Sequence, residues 1–161
     1  TALQTLVYSK RSGAAAAAES LELLTSLNFV KKEIARDGYC CKNSLLALCP
    51  GLTAEQLRQS ISELCDSNSY IQSLKGQVLA SYDSGNWAGV IGDQMCQLEL
   101  IAADYYLRVN ENGSLAVYNS MTQVFSDVHG RTIAAEDMTT GAHKVIIYNG
   151  GTHYDATERV Q

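Results

Sequence analysis

The order of hydrophobic and polar residues predicts helices in the first half of the chain. Ala14 to Leu27 is rich in strong helix formers and has leucines along one face, whereas its alanine run, Ala14 to Ala18, indicates no function. Asp37-Gly38 interrupts this pattern. The apolar segment from Ser44 to Leu48 then predicts a second helix that ends before Pro50.

Three more helices are predicted after Pro50. Thr53 to Gln56 has the capping-box pattern and opens the first of them, a weaker helix covers Tyr70 to Leu79, and Asp93 can cap the third. The polar segment before the third contains the only tryptophan, Trp87. The predicted core residues of the first and third helices are Leu57, Ile61, Leu64, Met95, Leu98, Ile101 and Ala102.

Strand signals dominate the rest of the chain, because the hydrophobic period changes to two. The predicted hairpins join Tyr106–Asn110 to Leu115–Tyr118 and Lys144–Tyr148 to Thr152–Ala156. Their turns carry the signals Asn112-Gly113 and Gly150-Gly151. The intervening segment from Met121 to Gly141 has no regular pattern.

The composition is that of one soluble globular domain. A length of 161 residues predicts a single domain over residues 1–161, and the 46% hydrophobic and 18% charged residues are ordinary values. A net charge of -5 disfavours nucleic-acid binding, and no apolar run is long enough to span a bilayer. Because the chain begins at Thr1 without a signal peptide, we expect it to be a domain cut from a longer protein.

The cysteines indicate a reducing compartment. There are five of them, an odd number, without a C-x-x-C pair or zinc-site spacing. In such a compartment an unpaired cysteine is usually a small buried hydrophobe. A catalytic cysteine must therefore differ from the others in its surroundings.

Cys40 has the sequence setting of a nucleophile. It lies where a loop enters a predicted helix, and a helix N-terminus both favours a thiolate and supplies N–H donors for an oxyanion. Gly38 allows a substrate to approach the backbone closely. The other cysteines lie in apolar helical patterns or, for Cys41, point elsewhere. We therefore expect Cys40 alone to be an exposed thiolate.

His153 is the best candidate for a general base among the three histidines. Asp155 lies two positions later in the predicted strand, on the same face, so it can accept the ring N–H and fix the tautomer. His143 has no carboxylate two positions later, and His129 lies in the irregular segment. Taken singly these signals are weak, because most such cysteines are inert and most such histidines are surface or packing residues.

The combination resembles the ovarian tumour (OTU) family of deubiquitinases. That family has Asp-Gly-x-Cys at a helix start, a Gly-Asp pair that opens an apolar helix leading into a strand, and His-Tyr-Asp or His-Tyr-Asn after a strand and a turn. The blocks here are Asp37 to Cys40, Gly92 to Val109 and Val145 to Asp155, in the same order over residues 37–156. Tyr39 and Lys42 depart from the usual pattern, and the divergence resembles a bacterial effector or a viral member.

The resemblance implies an α+β fold, a papain-like cysteine protease of OTU type with a small mixed β-sheet flanked by helices. It implies hydrolysis of the isopeptide bond after the terminal Gly-Gly of ubiquitin. Cys40 would attack the carbonyl, His153 would transfer the proton, Asp155 would orient His153, and Asp37 would shape the oxyanion loop. The resemblance implies no metal or cofactor, a monomer with ubiquitin or polyubiquitin as partner, and a cytosolic location, in the host cytosol for a secreted effector.

Other functions remain open from the sequence alone. One is a cysteine protease for a ubiquitin-like modifier or a viral polyprotein. Another is a non-catalytic ubiquitin-binding module with the OTU fold, which Lys42 leaves open and the intact Cys40, His153 and Asp155 oppose. A third is an interaction domain in which the motifs occur by chance.

Overall fold

The computed structural model describes residues 19–37, 39–67, 69–84, 92–150 and 153–160, without the side chains of residues 70, 71 and 92–94. Its helices are α1 (Glu22–Ser26), α2 (Cys40–Leu48), α3 (Ala54–Asp66), α4 (Ser69–Ser73), α5 (Lys75–Ser84) and α6 (Gly92–Asn110), with a 3₁₀ helix at Ala135–Thr139. Its strands are β1 (Phe29–Lys32), β2 (Ser114–Asn119), β3 (Val124–Asp127), β4 (Thr132–Ile133), β5 (His143–Tyr148) and β6 (Tyr154–Arg159).

The six described strands form one mixed sheet in the order β1-β6-β5-β2-β3-β4. β2 and β5 run parallel, and the other neighbouring pairs are antiparallel. The small mixed sheet among helices confirms the predicted α+β architecture. No helix within the described residues combines the length and the apolar composition needed to cross a membrane.

Both faces of the sheet are buried, because alternate residues of its central strands enter different clusters. Val117 and Ile146 pack with α2, α3 and α6 on one face, whereas Tyr118 and Ile147 pack on the opposite face with Phe29 of β1. Burial on both sides explains why the β5 sequence reads as a continuous apolar run.

The local helix signals predict the end of α2 and the start of α3. α2 ends at Leu48 as predicted, and the capping box of α3 is formed, since Gln56 N donates to Thr53 Oγ1 at 3.1 Å and Thr53 N donates to Gln56 Oε1 at 3.0 Å. The helix predicted over Tyr70 to Leu79 is divided between α4 and α5. Of the helix predicted from Ala14 to Leu27, α1 covers only Glu22–Ser26, and Ala14 to Ala18 lie outside the described residues, as does Trp87.

The first predicted hairpin is wrong, because Tyr106 to Asn110 form the end of α6 and not a strand. Ala103 and Leu107 are buried while Tyr105 and Val109 are exposed, which is a helical and not an alternating pattern. The backbone N–H of Leu115, in β2, then donates to Asp104 Oδ1 at 2.8 Å. A side chain of α6 therefore fixes the start of a strand that pairs with β3 and β5.

The second predicted hairpin is confirmed, and it forms the part of the fold that carries His153. β5 pairs antiparallel with β6 through Ile147 opposite Asp155 and Tyr148 opposite Tyr154. β6 continues to Arg159, beyond the predicted end at Ala156. The segment without a regular pattern contains β3, β4 and the 3₁₀ helix, and β1 was not predicted.

Candidate active site

Cys40 is the first residue of α2, and α2 packs against β6. The turn before it is closed by Asp37, whose side-chain Oδ1 accepts from Tyr39 N at 2.8 Å and whose carbonyl accepts from Cys40 N at 3.4 Å. Asp37 itself is exposed. Its geometry is that of a turn-forming residue, and a part in forming an oxyanion site stays a prediction.

The Cys40 thiol is buried, so the expectation of an exposed thiolate is wrong. Only 4% of the residue is exposed. Burial raises the pKa of the Cys40 thiol to about 11, because the charged form loses its hydration, and the nearby Cys96 and Glu99 raise it further. Backbone hydrogen bonds with Tyr154 and Cys41 lower this pKa only in part. In this conformation the desolvation of the thiol therefore outweighs the stabilisation that the helix N-terminus gives to a thiolate.

His153 and Asp155 form the predicted pair. His153 Nε2 lies 3.0 Å from Asp155 Oδ1, and the residues are only 7% and 2% exposed. The other ring nitrogen, Nδ1, is buried and has no hydrogen-bond partner among the described residues. Tyr154, whose backbone forms a hydrogen bond with the Cys40 thiol, lies between His153 and Asp155 in the sequence.

Asp155 is held by partners that the sequence reading missed. Its Oδ1 also accepts from Ile34 N at 2.9 Å, and its Oδ2 accepts from the side-chain amide of Asn149. Asn149 Oδ1 in turn accepts from Ser120 Oγ at 2.6 Å. Asn149 directly precedes the Gly150-Gly151 turn signal of the second predicted hairpin. The strand pairing of its hairpin is the signal that brings it beside Asp155, whereas Ile34 and Ser120 come from remote parts of the chain.

Comparison with known proteins bears on the fold. No family model and no curated protein matches the sequence. The fold is similar to that in the crystal structure of an OTU deubiquitinase from Wolbachia pipientis wMel, with a TM-score of 0.52 and 17% sequence identity over 82% of this chain and 89% of that chain. The chain has an OTU-type fold. The predicted fold class is thereby confirmed.

Within this OTU-type fold, the other two histidines lie away from the pair. His143 begins β5, at the far end from the hairpin, about 17 Å along the strand from Tyr148. Its Nδ1 lies 2.8 Å from Ser114 Oγ, and burial lowers its pKa. His129 is exposed in a turn in which its backbone N donates to Asp127 Oδ1 at 2.8 Å. Neither has the setting of His153.

Tyr39 and Lys42, the two residues that depart from the pattern to which the sequence is similar, contact each other. The Lys42 ammonium lies 4.1 Å from the centroid of the Tyr39 ring and 5.7 Å from that of Tyr82, a cation–π arrangement. The Tyr39 hydroxyl donates to the carbonyl of Asp83 at 2.7 Å. This cluster ties the loop before Cys40 to α5.

A buried polar group, Glu99, lies near Cys40. The Cys41 thiol lies close to Cys96 and Glu99 of α6. Burial raises the pKa of the Glu99 carboxyl to about 8, while the Cys41 thiol and the Lys42 charge lower it in part. The sequence signal for this group is a single glutamate in the apolar run Leu98 to Ile101.

Proposed function

We propose that this protein is a thiol-dependent deubiquitinase in which Cys40, His153 and Asp155 act as nucleophile, general base and orienting carboxylate. One observation carries the assignment. In an OTU-type fold, the Cys40 thiol forms a hydrogen bond with the backbone of Tyr154, and the residues on either side of Tyr154 in the sequence, His153 and Asp155, form a hydrogen bond of 3.0 Å with each other. A cysteine, a base within reach and a third group that orients the base are the requirements of covalent hydrolysis.

The hydrogen bond to Asp155 defines which ring nitrogen of His153 takes the proton. An ionised carboxylate accepts only, so Nε2 carries the ring hydrogen and the buried Nδ1 is the basic atom. Nδ1 takes the Cys40 proton as sulfur attacks the isopeptide carbonyl. N–H groups at the start of α2 stabilise the oxyanion.

The leaving lysine amine takes the proton back from His153 as the C–N bond breaks and a thioester forms. Water then attacks the thioester with Nδ1 again as the base, and the departing Cys40 sulfur regains the proton. Because burial raises the pKa of Cys40 to about 11, the free protein holds this residue as a thiol. In the proposed reaction the thiolate forms by proton transfer to His153 when a substrate binds.

A second candidate is a non-catalytic ubiquitin-binding module. The burial of Cys40 favours it, because a thiol that is 4% exposed offers little surface to a peptide bond. In both cases the proposed partner is ubiquitin or polyubiquitin. A protease for a ubiquitin-like modifier uses the same three residues and differs only in the surface that docks the modifier.

Turnover of ubiquitin chains and of a fluorogenic ubiquitin amide tests the proposal. Cys40→Ala should abolish turnover, whereas Cys65→Ala, a buried cysteine of α3, is the matched control and should retain it. Parallel substrates made from ubiquitin-like modifiers define the modifier. Normal turnover by Cys40→Ala contradicts the nucleophile, and ubiquitin binding without turnover by the unmodified protein supports the binding module instead.

A further inference from the structure

A three-residue cluster of potential metal ligands links α2 to α6. Cys41 Sγ, Cys96 Sγ and a carboxyl oxygen of Glu99 all lie within 4.8 Å of one another, and all three residues are buried. Cys96 and Glu99 are three residues apart on α6, which brings their side chains to the same face. Cys41 meets them from the first turn of α2.

Glu99 in this cluster lacks the partners that a buried carboxyl needs. Both of its oxygens are inaccessible to solvent, and among the described residues the Cys41 thiol, a weak donor, is the one group with which they interact as an acceptor. Burial of a carboxyl without a strong donor is costly, so such groups are normally paired or bound to a cation. The hydroxyl of Tyr82 is also buried and has no hydrogen-bond partner among the described residues, although it lies near enough to Glu99 and Cys41 for an electrostatic interaction.

We propose that Cys41, Cys96 and Glu99 bind a zinc ion between α2 and α6. Thiolate sulfur with carboxylate oxygen is a donor set that selects zinc over calcium or magnesium, which prefer oxygen alone. In a tetrahedral site with Zn–S bonds of about 2.3 Å, neighbouring ligand atoms are about 3.8 Å apart. The observed spread of 4.8 Å or less therefore needs only a small contraction.

The charges of the cluster also fit a divalent cation. Two thiolates and a carboxylate carry three negative charges, so one zinc ion leaves a single negative charge, and the Lys42 ammonium is close enough to interact with Glu99. Three protein ligands leave the fourth tetrahedral position for water. The site shares no ligand with the Cys40, His153 and Asp155 group, and it does not depend on the proposed hydrolase activity.

Cobalt binding to the metal-free full chain tests this site without an activity assay. Co²⁺ should bind once per chain and give a thiolate-to-cobalt charge-transfer band together with tetrahedral d–d bands, and Zn²⁺ should displace it. Cys41→Ser should abolish the charge-transfer band or strongly reduce it, and Glu99→Gln should weaken binding. Cys65→Ser is the matched control for a buried cysteine outside the cluster, and it should retain the spectrum.

Circular dichroism shows which variants are folded. Cys41→Ser and Glu99→Gln alter different helices, so one folded variant of the two is sufficient to test the site. Cys40→Ala should keep the cobalt spectrum. Loss of the spectrum in both Cys40→Ala and His153→Ala overturns the proposal, since the metal then binds Cys40 and His153. Absence of the bands in the folded parent protein, or an unchanged spectrum in Cys41→Ser, overturns it as well.

Discussion

Asp155 is the residue whose replacement tests the candidate site most severely. Its carboxylate accepts from His153 Nε2, from Ile34 N and from the side-chain amide of Asn149. Asp155→Ala removes all of these acceptors at once. The His153 ring loses its orientation and the segment that follows β1 loses the bond that holds Ile34, so both activity and stability should fall.

The expected loss of stability follows from the donors left without partners. Three donors lose their acceptor and all are part-buried or buried, but the Asn149 amide can turn over toward Ser120 Oγ, which leaves Ile34 N–H and His153 Nε2–H unpaired. At about 1–3 kcal/mol for each unsatisfied donor, Asp155→Ala should lower the free energy of unfolding by about 2–6 kcal/mol. This is a large part of the ~5–15 kcal/mol that stabilises a typical domain. Turnover should fall about 10³–10⁴-fold, because the tautomer is no longer fixed.

Asp155→Asn should be much milder, because the surrounding network can adapt. The Ile34 N–H requires an oxygen at the Oδ1 position, so His153 keeps its acceptor. The new amide then faces Asn149, which can turn its own amide over and donate to Ser120 Oγ. Ser120 already lies 3.3 Å from the Tyr148 carbonyl and can donate there. All donors are again paired, so the cost should stay within about 1 kcal/mol.

Urea unfolding and ubiquitin turnover of the two variants provide the measurement. We expect stability and activity to decrease in the order parent, Asp155→Asn, Asp155→Ala, with the alanine variant well separated from the other two. Equal destabilisation by both substitutions would contradict the adaptable network. An Asp155→Ala protein with parental activity would show that another residue orients the histidine.

Three further predictions concern the histidines and Cys40. His153→Ala should lose nearly all turnover while His129→Ala keeps it, as measured with a fluorogenic ubiquitin amide; comparable loss in both would remove the base assignment. Burial lowers the pKa of His143 in the folded protein. As the pH falls below about 6.5, His143 is therefore protonated in the unfolded chain before it is protonated in the folded one. His143 therefore stabilises the fold above that pH and loses this effect on acidification. His143→Asn should unfold with a weaker pH dependence between about pH 7 and 5, and an unchanged dependence in urea melts refutes this. A small neutral alkylating reagent should modify Cys40 slowly at neutral pH, because burial raises the pKa of its thiol to about 11, and rapid modification by mass spectrometry would show an open, ionised state.

Features encoded by neighbouring residues could be predicted from the sequence. The capping box at Thr53 and Gln56 is a pattern of four residues, and it is formed. The His153 and Asp155 pair follows from the two-residue repeat of an extended chain, and the hairpin from its Gly-rich turn. Local geometry is enough in these cases.

Features that depend on distant contacts could not be predicted. The burial of Cys40 is set by the packing of α2 on β6, which no local pattern encodes. The bond from Ile34 to Asp155 joins residues 121 positions apart. Tyr106 to Asn110 alternates like a strand in sequence but is helical, because Ala103 and Leu107 continue the buried face of α6.

Reaction with a ubiquitin that carries a thiol-reactive group at its C-terminus tests the proposed function most directly. The narrow Gly-Gly tail must enter beside Cys40 and the body of ubiquitin must dock, so the probe tests the thiol and the substrate together. We predict a single adduct, mapped to Cys40, that forms equally in Cys65→Ala and is absent in Cys40→Ala. A folded protein whose Cys40 reacts with a small alkylating reagent but never with the ubiquitin probe would contradict the deubiquitinase assignment.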